Sequence, residues 1–163
     1  MTEHAPALFI ALEGSELGAA IRQSRWIYMV ANVGHILSLF VFAGAIAVMD
    51  LRMTGALAAT SPGYVLKIGR RIAMLAFLGL MVSGATLFIA EASHVILNTV
   101  FQIKLALIAL GLINIAVFEY VTAPQVKASP PLSPLPAAAR FAGIASIGIW
   151  LGVAACGRLI AYF

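Results

Sequence analysis

Four long apolar stretches constrain the fold of this 163-residue chain more than any other feature of its sequence. They occupy residues 26–49, 72–91, 102–122 and 141–163, and polar segments separate them. A helix of about 20 residues spans the hydrocarbon core of a bilayer, and it satisfies its own backbone hydrogen bonds there. The sequence therefore predicts an all-α fold, an integral membrane four-helix bundle whose surroundings are the lipid bilayer.

The composition excludes the common alternatives to a membrane protein. Hydrophobic residues make up 63% of the chain and charged residues 10%, whereas a soluble domain has about half and about a quarter. Intrinsic disorder needs low hydrophobicity and high charge, which is the opposite balance. The net charge is +4, and the basic residues are distributed among the loops and helix ends rather than gathered in one run. Nucleic acid is therefore not an expected partner.

The chain divides into an N-terminal segment, 1–25, and a four-helix transmembrane domain, 26–163. The N-terminal segment mixes apolar and charged residues, so we predict a short amphipathic helix that lies at the membrane surface. Residues 50–71 are predicted to form a polar loop. Residues 123–139 contain five prolines, which cannot all continue a helix, and they are predicted to form an extended connector.

Lys and Arg residues are more numerous on one side of the predicted bundle than on the other. Six flank the two long loops: Arg52, Lys67, Arg70, Arg71, Lys127 and Arg140. Four lie on the opposite side: Arg22, Arg25, Lys104 and Arg158. Because Lys and Arg are in excess on the cytoplasmic side of membrane proteins, we expect both termini in the periplasm, with the protein in a bacterial inner membrane.

Ionisable side chains inside the predicted spans are the leading functional candidates, because lipid makes them costly. His35 lies about ten residues into the first span, near the bilayer midplane. Asn32, Tyr28 and Arg25 precede it at spacings of three and four residues, so these side chains form one polar stripe along the helix. Two interpretations are open: a histidine that hydrogen-bonds across helices, or an axial ligand of a haem or metal ion with the stripe beside it.

A second haem ligand would have to lie at the depth of His35. Met81 fits that depth, and methionine–histidine ligation occurs in cytochromes, although a methionine in an apolar chain also serves in packing. Cys156, the only cysteine, is another candidate. His94 lies roughly 13 Å shallower by helix rise and is not expected to join His35, so a five-coordinate haem on His35 also remains open.

The other charged residues of the spans have two readings. Lys104 and Arg158 either anchor helix ends at the interface or neutralise haem propionates, and Glu91 is an alternative ion-pair partner for them.

On the side of the two loops, the sequence predicts anchoring and pairing. Asp50 and Arg52 are expected to anchor the first span in the head-group region. Glu119 is expected to reach the interface or to pair with Lys127.

Three segments resemble an uncharacterised family of four-helix bacterial membrane proteins. They are ANVGHILSLFVFAGAIAVMDLRMTG at 31–55, FQIKL at 101–105 and GRLIAYF at 157–163. The resemblance implies the four-helix architecture and assigns no reaction.

A more distant resemblance is to the HemJ-type protoporphyrinogen oxidases and the CopD copper-resistance proteins. It rests on His35, on Leu51-Arg52 and on Lys104-Leu105. It implies b-type haem bound through His35, with Lys104 near the tetrapyrrole.

Three functions follow as hypotheses from these residues. The first is a small inner-membrane haem-b protein that acts in electron transfer or redox chemistry. The second is a non-catalytic subunit or assembly factor, either a homo-oligomer or part of a larger membrane complex. The third is a copper permease with methionine and histidine as soft ligands.

Overall fold

The computed structural model describes residues 5–163, and every secondary-structure element in this range is helical. The start of the predicted N-terminal segment, including His4, lies outside the described residues. The helices are α1 (Ala7–Glu13), α2 (Glu16–Gln23), α3 (Arg25–Thr54), α4 (Pro62–Ala90), α5 (Ala92–Val95), α6 (Thr99–Val117), α7 (Ala123–Ala128) and α8 (Ala137–Leu159). A π-helical turn, Phe118–Thr122, joins α6 to α7, and a 3-10 turn, Ile160–Tyr162, follows α8.

Within the described range, four helical stretches are long and apolar enough to cross a membrane, as the sequence predicted. They are Arg25–Thr54, Pro62–Ala90, Thr99–Ala128 and Ala137–Tyr162. Residues 55–61 and 129–136 connect them at one end of the bundle, which we name the loop end. The opposite end, where α2, α5 and the C-terminus lie, is the terminal end.

The predicted loop at 50–71 is wrong, because most of those residues are helical. α3 continues to Thr54, where Gly55 takes a left-handed conformation with φ of 99° and closes the helix. α4 begins at Pro62, where proline costs no hydrogen bond, and the Ser61 side chain accepts a hydrogen bond from the Tyr64 amide. Apolarity identifies the part of a helix that can contact lipid, whereas capping residues determine where the helix ends.

The predicted connector at 123–139 is shorter than expected. The helix runs through the π-helical turn and into α7, so only residues 129–136 are non-helical. Pro124, which has no backbone N–H to donate, lies in the first turn of α7, directly after the π-helical turn.

The N-terminal segment forms two short helices where one was predicted. The chain breaks at Gly14 and Ser15, and the Ser15 side chain caps α2 by accepting a hydrogen bond from the Gly18 amide at 3.1 Å. Ile21 is buried, at 3% exposure, and the Arg22 guanidinium donates to the Ala90 carbonyl at 3.1 Å. These contacts dock α2 against the terminal end of α4.

The apolar core lies toward the loop end, with α3 at its centre. α3 packs on both α4 and α8, and α6 packs on α8. In the most apolar 18-residue window of each stretch, 39% of the residues are buried for α3 and only 6% for the stretch that contains α6. The buried core comprises Phe42, Ala45, Ile46, Met49, Met53, Leu66, Ala73, Ala76, Val126 and Ala139.

Candidate functional site

His35 and Ser83 form a hydrogen-bonded pair between α3 and α4 near the terminal end. The His35 Nδ1 atom lies 2.9 Å from Ser83 Oγ, and Ser83 Oγ lies 2.6 Å from the Gly79 carbonyl oxygen. A carbonyl only accepts, so the single hydroxyl proton of Ser83 goes to Gly79. The His35 Nδ1–H must therefore donate to Ser83, and in the neutral ring Nε2 keeps its lone pair.

Small residues bring the two helices close enough for this contact. A Cβ placed on Gly84 would lie 3.2 Å from His35 Cε1, and one placed on Gly79 would lie 3.3 Å from Ser38 Cβ. Larger side chains at these two positions would push α3 and α4 apart. Gly79 and Ser83 thus explain why the histidine finds its partner on α4.

An opening of about 550 Å³ lies between α3 and α4 at the terminal end. Its walls are mostly apolar and include Ala31, Gly34 and Val82, while Ser83 contributes a polar atom. Ser83 lines the opening and also bonds His35, whereas His35 is not itself a lining residue. The opening can therefore accept an apolar group against Ser83.

The polar stripe that precedes His35 does not form a site with it. Arg25, Tyr28 and Asn32 are exposed on the surface of α3, and Tyr28 is 38% exposed. The hydrogen-bond partner of the imidazole is Ser83 of α4 rather than a residue of the stripe. The signal for Ser83 was its spacing of four residues from Gly79, which favours close helix contact.

Met81 is not brought to His35. It is 55% exposed and lies two residues from Ser83, which is about 200° around the helix. Since Ser83 faces α3, Met81 faces away from it. The predicted methionine–histidine pair is therefore not formed.

Lys104 is half-buried on α6 and has an incomplete set of partners. A Cβ placed on Gly157 of α8 would lie 3.5 Å from the Lys104 Nζ atom, so the ammonium lies close to α8. Among the described residues the ion pairs are those of Glu119 with Arg70 and Lys127. Lys104 is therefore a cation without a carboxylate partner in the described part of the chain.

Arg158 and Glu91 do not join this group. The Arg158 guanidinium donates to the Tyr162 hydroxyl and lies 4.6 Å from the centre of its ring. Glu91 is exposed and forms no ion pair with Lys104 or Arg158 in the described residues. The Cys156 side chain is buried on α8, at 8% exposure.

His94 is exposed on α5, a separate four-residue helix at the terminal end. The neighbouring Ser93 hydroxyl and amide donate to the Glu13 carboxylate, the amide at 2.8 Å. The Ser93 hydroxyl is the main reason why the pKa of Glu13 lies below its ordinary value. Glu13 therefore ties α1 to α5.

At the loop end, Asp50 and Arg52 are buried rather than exposed toward head groups, at 8% and 1% exposure. The Arg52 Nε donates to the Thr60 carbonyl at 2.9 Å, which folds the short connector over the side chain. The expected anchoring role is wrong for both residues. Both lie within α3, and because α3 is the central helix of the bundle their side chains are enclosed. The expected Glu119–Lys127 pair is confirmed, at 2.9 Å.

These features define a class: an all-helical protein with four membrane-length apolar helices and a histidine–serine–lysine group at one end. The chain belongs to a family of unknown function, DUF6644, which matches residues 8–163. No curated protein and no solved structure matches the chain. The family agrees with the resemblance to an uncharacterised family, and the comparisons show no similarity to HemJ-type or CopD proteins.

Proposed function

We propose that this chain is a small haem-b protein of the bacterial inner membrane, acting in electron transfer or redox chemistry, with His35 as the iron ligand. The observation that supports this is the 2.9 Å contact between His35 Nδ1 and Ser83 Oγ, to which we assign a direction from the contact of the Ser83 hydroxyl with the Gly79 carbonyl. A ligating histidine characteristically donates its other ring N–H to a fixed acceptor, which sets the tautomer and the orientation of the ring. Ser83 provides that acceptor, and Nε2 is left to bind a metal.

The other residues of the site fit an anionic apolar cofactor. The opening beside Ser83 is apolar, and Lys104 is a cation without a carboxylate partner in the described residues, suited to a propionate. Because Met81 faces away, His35 is the single protein ligand of this proposal. When bound, the haem would supply a one-electron couple whose potential depends on the ligand and the apolar surroundings.

The visible spectrum of the detergent-purified protein, with and without dithionite, tests the proposal. Wild-type protein should be coloured, with a Soret band, and His35→Ala should lose the band entirely. His94→Ala is the matched control, since it removes an exposed histidine at the same end, and it should keep the band. A colourless wild type, or equal loss in the two variants, would show that the proposal is wrong.

A non-catalytic subunit or assembly factor is the second candidate. Two observations favour it: the His35–Ser83 bond already joins α3 to α4, and the stretch containing α6 is 6% buried, which leaves an apolar face for a partner helix. A colourless protein that co-purifies with a stoichiometric membrane partner would support this candidate. The copper permease stays a hypothesis from the sequence alone.

The membrane placement is part of the same proposal. The four apolar helices support insertion, and the excess of Lys and Arg at the loop end supports a cytoplasmic loop end with both termini in the periplasm. A C-terminal reporter that is active only in the cytoplasm should therefore stay silent. A strong signal from it would invert the orientation.

A further inference from the structure

A second cavity, of about 460 Å³, lies at the loop end, and four of the five residues lining it are cations. The lining consists of Gly63, Lys67, Arg70, Arg71 and Lys127. Arg70 and Arg71 lie three and four residues after Lys67, so both are neighbours of Lys67 on the surface of α4. The fourth comes from α7, more than 50 residues later in the chain.

The helical continuation of α6 into α7 creates this cavity. It carries Lys127 back against the first turn of α4, where a Cβ placed on Gly63 would lie only 3.1 Å from the Lys127 carbonyl oxygen. A side chain at position 63 would meet this backbone and fill the space. An extended connector at this point would not have held Lys127 beside α4.

The charge of the cavity is only partly balanced. Glu119, in the π-helical turn, pairs with Arg70 and with Lys127. Four cations and one carboxylate leave a net charge of +3, and Lys67 and Arg71 have no carboxylate partner in the described residues. Holding like charges together is unfavourable, so an anion bound among them would stabilise this end of the bundle.

The position of the cavity identifies the kind of anion. Its α4 cations immediately precede the apolar run that starts at Ile72, so in an inserted bundle they lie at the level of the phospholipid phosphates. We propose that the cavity binds the phosphate group of an anionic phospholipid; this rests on the proposed membrane insertion and does not depend on haem. Arg and Lys clusters between helix ends recognise such head groups through charge-assisted hydrogen bonds.

Native mass spectrometry of the full-length protein in mild detergent can test the site. Dioleoylphosphatidylglycerol, dioleoylphosphatidylcholine and inorganic phosphate are added in separate titrations. We expect one phosphatidylglycerol to bind in preference to phosphatidylcholine. Inorganic phosphate at the same concentrations should neither bind nor displace the lipid, because it lacks the acyl chains that the apolar helices contact.

Arg71→Gln and Arg140→Gln form a matched pair for this experiment. Both residues are exposed arginines at the loop end, but only Arg71 lines the cavity. One cation near a membrane surface changes affinity about fivefold, so Arg71→Gln should weaken phosphatidylglycerol binding about fivefold and Lys67→Gln/Arg71→Gln roughly 30-fold. Arg140→Gln should leave it unchanged.

Three results would overturn the proposal. Equal binding of the two lipids would show that the site does not prefer an anionic head group. Equal weakening by Arg71→Gln and Arg140→Gln would show that the cavity is not the binding site. Displacement of the lipid by inorganic phosphate would assign the site to free phosphate. The absorbance spectrum of the same samples reports on the haem proposal separately, since the cavity variants should leave any Soret band unchanged.

Discussion

The loop end and the terminal end of this bundle use the same helices but are packed differently. At the loop end, Phe42 and Met53 are almost fully buried, at 4% and 3% exposure. At the terminal end, His35 and Lys104 are half-buried, and an opening of about 550 Å³ lies between α3 and α4. The same helices therefore combine a densely packed core toward one end with looser packing around the candidate site at the other.

The two ends differ in how deeply they bury their polar groups. The loop end encloses Asp50 and Arg52, and Arg52 bonds a backbone carbonyl of the adjacent connector. The terminal end leaves the half-buried Lys104 without a carboxylate partner in the described residues. Both ends keep polar atoms without a protein partner, since Asp50 Oδ2 and an Arg52 guanidinium nitrogen have none among the described residues.

Truncating an aromatic side chain in the core should give the largest change in stability. Phe42→Ala removes a ring whose centre lies 4.7 Å from that of Trp150 and 5.8 Å from that of Phe77. We expect the free energy of unfolding to fall by about 3 kcal/mol. The control Phe40→Ala, at a ring 73% exposed on the same helix, should change it by less than about 0.5 kcal/mol.

Equilibrium unfolding in mixed detergent and dodecyl sulfate micelles, followed by circular dichroism, measures both variants. Equal losses for Phe42→Ala and Phe40→Ala would mean that the core does not lie where the structure places it.

Glycine substitutions should change the free energy of unfolding less than Phe42→Ala does, and in opposite directions at closely packed and open positions. A Cβ on Gly143 would lie 3.0 Å from Met53 Cβ and 3.2 Å from the Asp50 carbonyl oxygen, so Gly143→Ala should lower the free energy of unfolding by about 1 kcal/mol. A Cβ on Gly34 or Gly148 meets nothing within 4 Å. Alanine there should raise stability by up to about 1 kcal/mol, because alanine favours a helix.

The same unfolding assay applies to all three glycine variants. Gly148→Ala is the control on the same helix as Gly143, and Gly34→Ala represents the open terminal end. A stabilising Gly143→Ala would contradict the close approach of α3 and α8.

Removing the Ser83 hydroxyl should affect stability only slightly and haem binding more. Ser83→Ala breaks one interhelical bond, worth about 0.6 kcal/mol, but it also frees the His35 ring, which should weaken haem binding roughly 10–100-fold. Thr54→Ala is the control, because the Thr54 hydroxyl bonds the Leu51 carbonyl of its own helix and Thr54 does not line the opening. Haem titration followed at the Soret band measures the haem affinity of both variants. Identical affinities would show that Ser83 does not position His35.

The smallest effect concerns the docking of α1, and it depends on pH. The pKa of Glu13 is lowered from its ordinary value of 4.5, so the Glu13–Ser93 contact is fully stabilising above pH 4.5 and is lost as the pH falls through the lowered pKa. Hydrogen exchange of residues 7–13 should therefore accelerate below pH 4.5 relative to the rest of the chain. Glu13→Gln should abolish this acid dependence, whereas Glu16→Gln should retain it.

Much of the architecture could be predicted, but the helix ends could not. The four spans followed from apolar length, since lipid contact requires it. Their ends depended on caps such as Gly55 and Ser61 and on the acceptance of Pro124 in a first helical turn. Hydropathy does not register these features, so the loops were predicted too long.

The candidate site was predicted only in part, for a similar reason. His35 and Lys104 were found because charged and titratable groups are rare in apolar helices. Met81 was paired with His35 by depth alone, and depth does not specify which face of a helix is turned inward. Ser83 was not among the predicted site residues, because its hydroxyl gains a role only when α4 is placed against α3.

The sequence by itself determined that this chain forms four apolar helices with a few costly polar residues, because the length and composition of each span are local properties. The tertiary structure alone decided which of those residues meet. His35 found Ser83 rather than Asn32 or Met81, and Lys127 joined the cations of α4 across the fold. Such contacts depend on helix rotation and close approach, which are set by packing between segments far apart in the chain.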